Sequence, residues 1–263
     1  MKQILASVLL IFGLCWDSQS STLDLPECQM SRTLETPITF FISDSVQKDY
    51  ESFVIEDHIQ RWITFSNSAL KNSCIPIKRT LDKIIYTPKI LGEEAEEFSV
   101  VHDFLAYYYS KEVERVNGSK TGFYGLVFKK NISQFTTDWC GETRPSVYPQ
   151  FFTIGLTCKD HVLEHELGHL AWASHDMETL SNQTGGMPFD LSKRLPLSLA
   201  SKITEYSYGY VCGGKGTIMA YADETHPFYS SPEISYENIV CGNAAYADNA
   251  RVLREYAIGL MGE

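Results

Sequence analysis

Apolar residues along this chain follow two rhythms. Pro37-Ile-Thr-Phe-Phe-Ile-Ser43 is a short and almost unbroken apolar run, the pattern of a strand buried on both faces. From Val46 to about Leu70 the spacing changes, with Phe53, Ile59, Trp62 and Ile63 among the apolar positions of an amphipathic helix. Ile75 to Tyr86 reads as a second strand and Glu94 to Val116 as a second helix. Asn117-Gly118 then leads into Gly122-Phe-Tyr-Gly-Leu-Val-Phe128, a third strand. Phe151-Phe-Thr-Ile-Gly-Leu-Thr157 predicts another central strand. Thr143 to Tyr148 contains Pro145, which cannot donate to a ladder and so suits a sheet edge. Strand, helix, strand, helix, strand implies an α/β fold with a mostly parallel sheet. A helix from about Asn249 to Leu260 closes the chain.

Composition keeps this within one domain. The 263 residues are 44% hydrophobic, enough for one sizeable core, and no repeat or low-complexity linker divides them. The expected division is a signal peptide over 1–20, an N-terminal segment over 21–36 and a single main domain over 37–263. Lys2, an apolar run from Ile4 to Trp16 and the small residues of Ser18-Gln-Ser20 have the order of a secretory leader. Cys15 raises a lipoprotein anchor, but Phe12-Gly13-Leu14 is a poor lipobox. Loss of the leader removes Cys15 and leaves Cys28, Cys74, Cys140, Cys158, Cys212 and Cys241, an even set suited to an oxidising compartment. Of the possible pairings, Cys212 with Cys241 would tie the segment at Met219 to the C-terminal part. The expected location is secreted, extracellular or periplasmic.

Charge removes two classes of partner. A net charge of −11 without a Lys/Arg cluster gives neither nucleic acid nor an anionic membrane a basic face. Glu93-Glu-Ala-Glu-Glu97 reads as the solvated first turn of a helix. Asn117, Asn131 and Asn182 head sequons, glycosylated only if the source modifies exported proteins. The chain is expected to act as a monomer.

The chemistry concentrates in His161-Val-Leu-Glu-His-Glu-Leu-Gly-His-Leu-Ala-Trp-Ala-Ser-His-Asp176. His165 and His169 stand one helical turn apart, about 6 Å along the axis, so both imidazoles can reach one metal ion. His175 as third ligand leaves a fourth tetrahedral position for water, the pattern of a catalytic zinc site, with Glu166 as base for that water. His161 is a competing ligand in spacing alone, and Glu178 or Glu205 could replace His175 as third ligand. A continuous helix would carry His175 about 15 Å from His165, so the chain must turn near Trp172. Asp160 is placed to cap the helix.

The motif resembles the long zinc signature of the metzincin endopeptidases, matched at His165, Glu166, His169 and His175. It departs at Trp172, where the family has glycine for a left-handed turn that costs another residue about 1–2 kcal/mol. Asp176 looks like the extra acid of the reprolysin (adamalysin) branch. Gly216-Thr-Ile-Met-Ala-Tyr221 resembles the methionine turn of that family, with Met219 beneath the metal and Tyr221 placed to support the transition state. Tyr206 to Tyr210, Tyr229 to Tyr236 and Ala247 to Arg251 are similar to segments of secreted bacterial reprolysin-like enzymes, including peptidyl-Asp-type metallopeptidases, so the likeness covers about residues 150–255. It implies one domain, with a five-stranded twisted sheet, one antiparallel edge strand, an active-site helix and an irregular C-terminal subdomain. It also implies a peptide held by its main chain along residues 142–148. Cys28 has two readings under the resemblance: a thiolate that ligates zinc in a latent form, or a disulfide partner for Cys74. The expected function is zinc-dependent endopeptidase; the alternative from another class is a zinc-bound, non-catalytic protein-binding module.

Overall fold

The structure is a computed structural model that describes residues 22–87, 97–129, 140–185 and 197–262. The expected leader, Cys15, Asn131, most of the Glu93 to Glu97 run, and Gly186 with Pro188 and Pro196 lie outside these residues.

At its centre is a five-stranded sheet. Its order is β3 (Ile77–Tyr86), β2 (Leu34–Ile42), β4 (Phe123–Phe128), β6 (Phe151–Gly155), β5 (Gly141–Thr143). The first four strands pair in parallel, and β5 runs antiparallel to β6 at one edge. Alternation along the apolar runs sends neighbours to opposite faces. Phe40, Phe123 and Phe152 face a core shared with Ile59, Trp62, Leu163 and Leu167, while Phe41, Tyr124 and Phe151 face Phe98, Val101 and Leu105. The inner strands are therefore covered on both sides and run almost wholly apolar, while edge strand β3 exposes Lys78, Asp82 and Lys83.

Two expected helices are each split. Residues 46–70 become α1 (Asp44–Asp49) and α2 (Ser52–Asn72), and the described part of 94–116 becomes α3 (Phe98–Tyr108) and α4 (Ser110–Asn117). Tyr50 caps α1 and Tyr109 caps α3, each in a non-helical conformation. Both tyrosines join the apolar clusters that flank the sheet, so packing sets the break where periodicity runs on.

The expected edge strand is shorter and earlier than its sequence suggests. Only Gly141–Thr143 pair with β6, and Arg144 to Val147 form a tight turn, closed by Val147 N–H on the Arg144 carbonyl at 3.0 Å. Pro145 thus takes the second position of a turn, where its fixed φ is favourable, instead of a strand position.

Below the sheet lie α5 (Val162–Leu170), α6 (Met177–Gln183), a 3₁₀ turn at Leu197–Lys202 and α7 (Asn249–Met261). Small ladders complete this lower part: β7 (Val211–Cys212) with β8 (Lys215–Gly216), and β1 (Leu23–Asp24) with β9 (Ser235–Tyr236) and β10 (Ile239–Val240). Disulfides join Cys28–Cys74, Cys140–Cys158 and Cys212–Cys241. Cys28 is therefore a structural partner of Cys74, as one of its two readings held. Three disulfides fit an oxidising compartment. Among the described residues no helix is long and apolar enough to cross a membrane.

Candidate metal centre

Helix α5 is nine residues long and carries His165, Glu166 and His169. Its end solves the geometric problem set by His175. Trp172 has φ 73°, with its N–H on the His169 carbonyl at 2.9 Å, and Ala173 N–H reaches back to the Gly168 carbonyl at 3.0 Å. These two bonds are a Schellman cap with tryptophan in the left-handed position that glycine favours. The chain thereby reverses. Ser174 N–H donates to Ser207 O at 2.7 Å, and the Ser174 carbonyl accepts from Gly209 N–H at 3.0 Å and Asn249 Nδ2 at 3.2 Å. Held at both backbone groups, this segment delivers His175 to the other two histidines.

The three Nε2 atoms converge. His175 Nε2 lies 3.0 Å from that of His165 and 2.9 Å from that of His169. The opposite ring nitrogens fix the tautomers. Nδ1 of His165 is 2.8 Å from Ile218 O, that of His169 2.9 Å from Ala173 O, and that of His175 3.3 Å from Gln183 Oε1. Each of these oxygens only accepts, so each Nδ1 carries the proton and each neutral ring turns a lone pair inward. Three lone pairs facing one another repel unless a cation lies between them. Three nitrogens about 2.0–2.1 Å from a tetrahedral zinc stand roughly 3.3 Å apart, a few tenths of an ångström from the spacing seen here. The donor set fits a metal, and its chemistry suits zinc.

Burial keeps these rings neutral. Desolvation, joined by repulsion from His169 and His175, holds His165 well below its ordinary value. Desolvation and the neighbouring His175 bring His169 down to about 3. His175 is lowered by desolvation as well, against pulls from Gln183 and Asp176. Glu166 moves the other way. Burial raises its carboxyl to about 8, opposed by a hydrogen bond from Thr143 and reinforced by the charge of Glu142. A cation in the histidine cluster would draw that proton off.

Edge strand β5 lies directly over Glu166. A Cβ built on Gly141 would stand 2.5 Å from Glu166 Oε1, so only glycine allows the strand to pass this close. Beneath α5, Ala220 N–H donates to Thr217 O at 2.9 Å and closes a tight turn around Ile218 and Met219, both fully buried. Met219 Sδ occupies the space beside Gly168, 2.6 Å from where a Cβ would stand. The Tyr221 ring lies 4.7 Å from His175 and 5.7 Å from His165. Asp176 caps α6 through Thr179 N–H at 2.9 Å and accepts from Tyr221 N–H at 3.2 Å, tying the segment after His175 to the turn that holds Met219. A cleft of about 440 Å³ opens over the histidines, walled by Thr143, Pro145, Trp172, Leu180, Ile203 and Tyr221.

Other candidates stand apart. His161 packs half-buried against Phe65, and among the described residues only His165, His169 and His175 form a metal-ligating group. Glu178 and Glu205 are exposed and outside it. Asp160 does not cap α5, because the helix begins one residue later with His161 at the cap; the Asp160 carboxylate faces Arg61 Nε at 3.6 Å.

Sequence reasoning passed over Gly141, Gln183 and one charged group. Arg79 and Glu164, the residue before His165 on α5, form a fully buried ion pair. Each breaks its local pattern, Arg79 as an inward residue of β3 two after Ile77 and Glu164 among Val162, Leu163 and Leu167. That double violation was the available signal.

No protein-family model matches the chain. A curated relative, a peptidyl-Asp metalloendopeptidase of Xanthomonas campestris pv. campestris, is 37% identical over 94 residues, 34% of this chain. The match spans only 18% of that relative's length. Among solved structures, a chain described under "Structure of a chaperone-substrate complex" superposes with TM-score 0.61 at 13% identity, over 87% of this chain and 34% of its own, a likeness of fold. Metalloproteinase-II from Bacteroides fragilis gives TM-score 0.37 at 15% identity over 58% of this chain and 47% of its own, too low to bear on the argument.

Proposed function

We propose that this chain is a secreted zinc-dependent endopeptidase of the metzincin type, in its reprolysin-like branch. One observation carries the reading: three inward lone pairs meet beside a buried carboxyl that serves none of them as a hydrogen-bond partner. A structural metal site fills its fourth position from the protein and needs no such carboxylate. Zinc, when bound, supplies a Lewis acid that polarises a carbonyl and acidifies water. His165, His169 and His175 hold it. Glu166, in the low-dielectric floor of the cleft, takes the proton from water and hands it to the leaving amine. β5 offers its outer backbone edge to an extended peptide, so that the main chain is held while side chains vary.

The branch is supported by the Schellman turn before His175, the cap at Asp176 and the buried turn at Met219. The named relative supports peptide hydrolysis, and the likeness to a peptidyl-Asp enzyme does not by itself set cleavage preference. Three disulfides and the apolar leader sequence support export. Glu166→Ala is expected to abolish cleavage of unfolded protein while zinc stays bound. Full activity in that variant would refute the mechanism, and absence of chelator-sensitive cleavage by the wild type would favour a binding module.

A further inference from the structure

We infer that the buried Arg79, Glu164 and Tyr229 form a clamp that positions the metal helix. The inference rests on the metal-dependent reading above. Glu164 immediately precedes His165, and its carboxylate is gripped in a fork: Arg79 Nε donates to Oε2 at 3.0 Å and Nη2 to Oε1 at 2.9 Å. Both side chains are fully buried. The guanidinium also donates from Nη1 to Thr36 Oγ1 at 3.2 Å and lies over the Phe123 ring at 5.5 Å. Its backbone is fixed to α2, with Arg79 N–H donating to Asn67 Oδ1 at 2.8 Å and Asn67 Nδ2 to Arg79 O at 2.9 Å.

Tyr229 closes the clamp from the C-terminal part of the chain. Its hydroxyl lies 2.8 Å from Glu164 Oε1 and 2.9 Å from the Glu164 carbonyl, while its own N–H donates to Ser73 Oγ at 2.8 Å. The same hydroxyl stands 3.1 Å from where a Cβ of Gly168 would be, one turn further along α5. Strand β3, helix α2 and the C-terminal subdomain thus converge on one carboxylate.

Stability alone does not account for this arrangement. A buried ion pair is often no better than well-packed apolar residues of the same volume, because desolvation offsets its attraction. What a bidentate fork supplies beyond an apolar contact is direction. Residues 164 and 165 point about 100° apart around the helix, so rotation or sliding of α5 that the fork forbids would carry His165 and Glu166 out of register with His175. Val162, Leu163, Leu167 and Leu170 pack α5 into the core without fixing its direction by hydrogen bonds, and the fork adds that direction. Arg79, Glu164 and Tyr229 are positioning residues: they touch neither metal nor substrate.

The test separates positioning from support. In the full chain, Arg79→Met is combined with Glu164→Leu, an apolar pair of similar bulk, and compared with Tyr229→Phe, which removes only the hydroxyl. Three quantities are read: thermal midpoint, zinc affinity by competition with a chromophoric chelator, and kcat and KM on an unfolded protein. The double variant is expected to melt near the wild type, yet to show kcat about 100-fold lower at unchanged KM, the scale of an ångström-level misplacement, and zinc affinity at least about tenfold weaker. Tyr229→Phe is expected to shift kcat and zinc affinity the same way by a smaller factor, and it decides the matter if the double variant does not fold. Wild-type zinc affinity and kcat in a folded double variant, or in Tyr229→Phe, would overturn the proposal. Zinc affinity is read without cleavage, so a wild type that binds zinc and cleaves nothing would count against the proposed function and leave the clamp to be judged separately.

Discussion

Gly141→Ala probes how closely the edge strand and Glu166, the proposed base, are fitted. The added methyl would stand 2.5 Å from Glu166 Oε1 and 2.8 Å from its Cδ and Cγ, where ordinary contacts begin at 3.4 Å. The carboxylate must therefore retreat by close to an ångström or push β5 outward. A displacement of that size in a catalytic group lowers kcat by about 100-fold, roughly 2.7 kcal/mol on the barrier. The fold should lose less, about 1 kcal/mol at the low end of overpacking, because the obstacle is a side chain able to rotate. Zinc content should not change, since none of the three histidines is touched. Gly259→Ala is the control: its Cβ meets nothing within 4 Å on α7, and it should stabilise by about 0.5–1 kcal/mol with full activity. The assay is initial rate on an unfolded protein with metal content measured on the same sample. Turnover of Gly141→Ala within twofold of wild type would show that β5 does not constrain Glu166 as described.

Three other outcomes follow from the structure. Replacing Cys140 and Cys158 by serine opens a loop closed over 18 residues and should lower stability by about 3 kcal/mol, measured by urea unfolding; an unchanged midpoint would mean the bridge is not formed. Trp172→Gly relieves the left-handed backbone at φ 73° and should keep zinc affinity, whereas Trp172→Val, β-branched and unsuited to that φ, should weaken it; the reverse order would contradict the Schellman turn. His161 is lowered from 6.5 to about 4 by burial first and by Lys159 second. The unfolded chain binds that proton more readily, so stability is intact above pH 6.5 and falls as pH drops from 6.5 towards 4. For a half-buried ring the loss is on the order of 1–2 kcal/mol. His161→Phe should flatten that part of the pH profile in thermal melts, and an unaltered profile would assign the acid sensitivity elsewhere.

Much of the fold was legible because the inner parallel strands, β2, β4 and β6, are buried on both faces and so appear as apolar runs. Their parallel direction followed from alternation with helices and the antiparallel edge from family resemblance, whereas the order of the strands in the sheet was not legible. Helix breaks were not legible, since Tyr50 and Tyr109 end their helices through packing with distant residues. At the site, the spacing of His165, His169 and His175 carried the ligand set, and a tryptophan where a glycine belongs still marked the turn. Gly141 and Gln183 were invisible because their roles depend on which segments meet in space. Asp160 misled because a good cap residue was diverted towards Arg61.

The central claim is that His165, His169 and His175 hold a zinc ion on which peptide hydrolysis depends. Titrating zinc-loaded protein with a chelator, while following bound metal and cleavage of an unfolded protein on the same sample, tests it most directly. One zinc per chain is expected, with cleavage falling in proportion to its removal and returning when zinc is restored. Cleavage that persists after the metal is gone would contradict it.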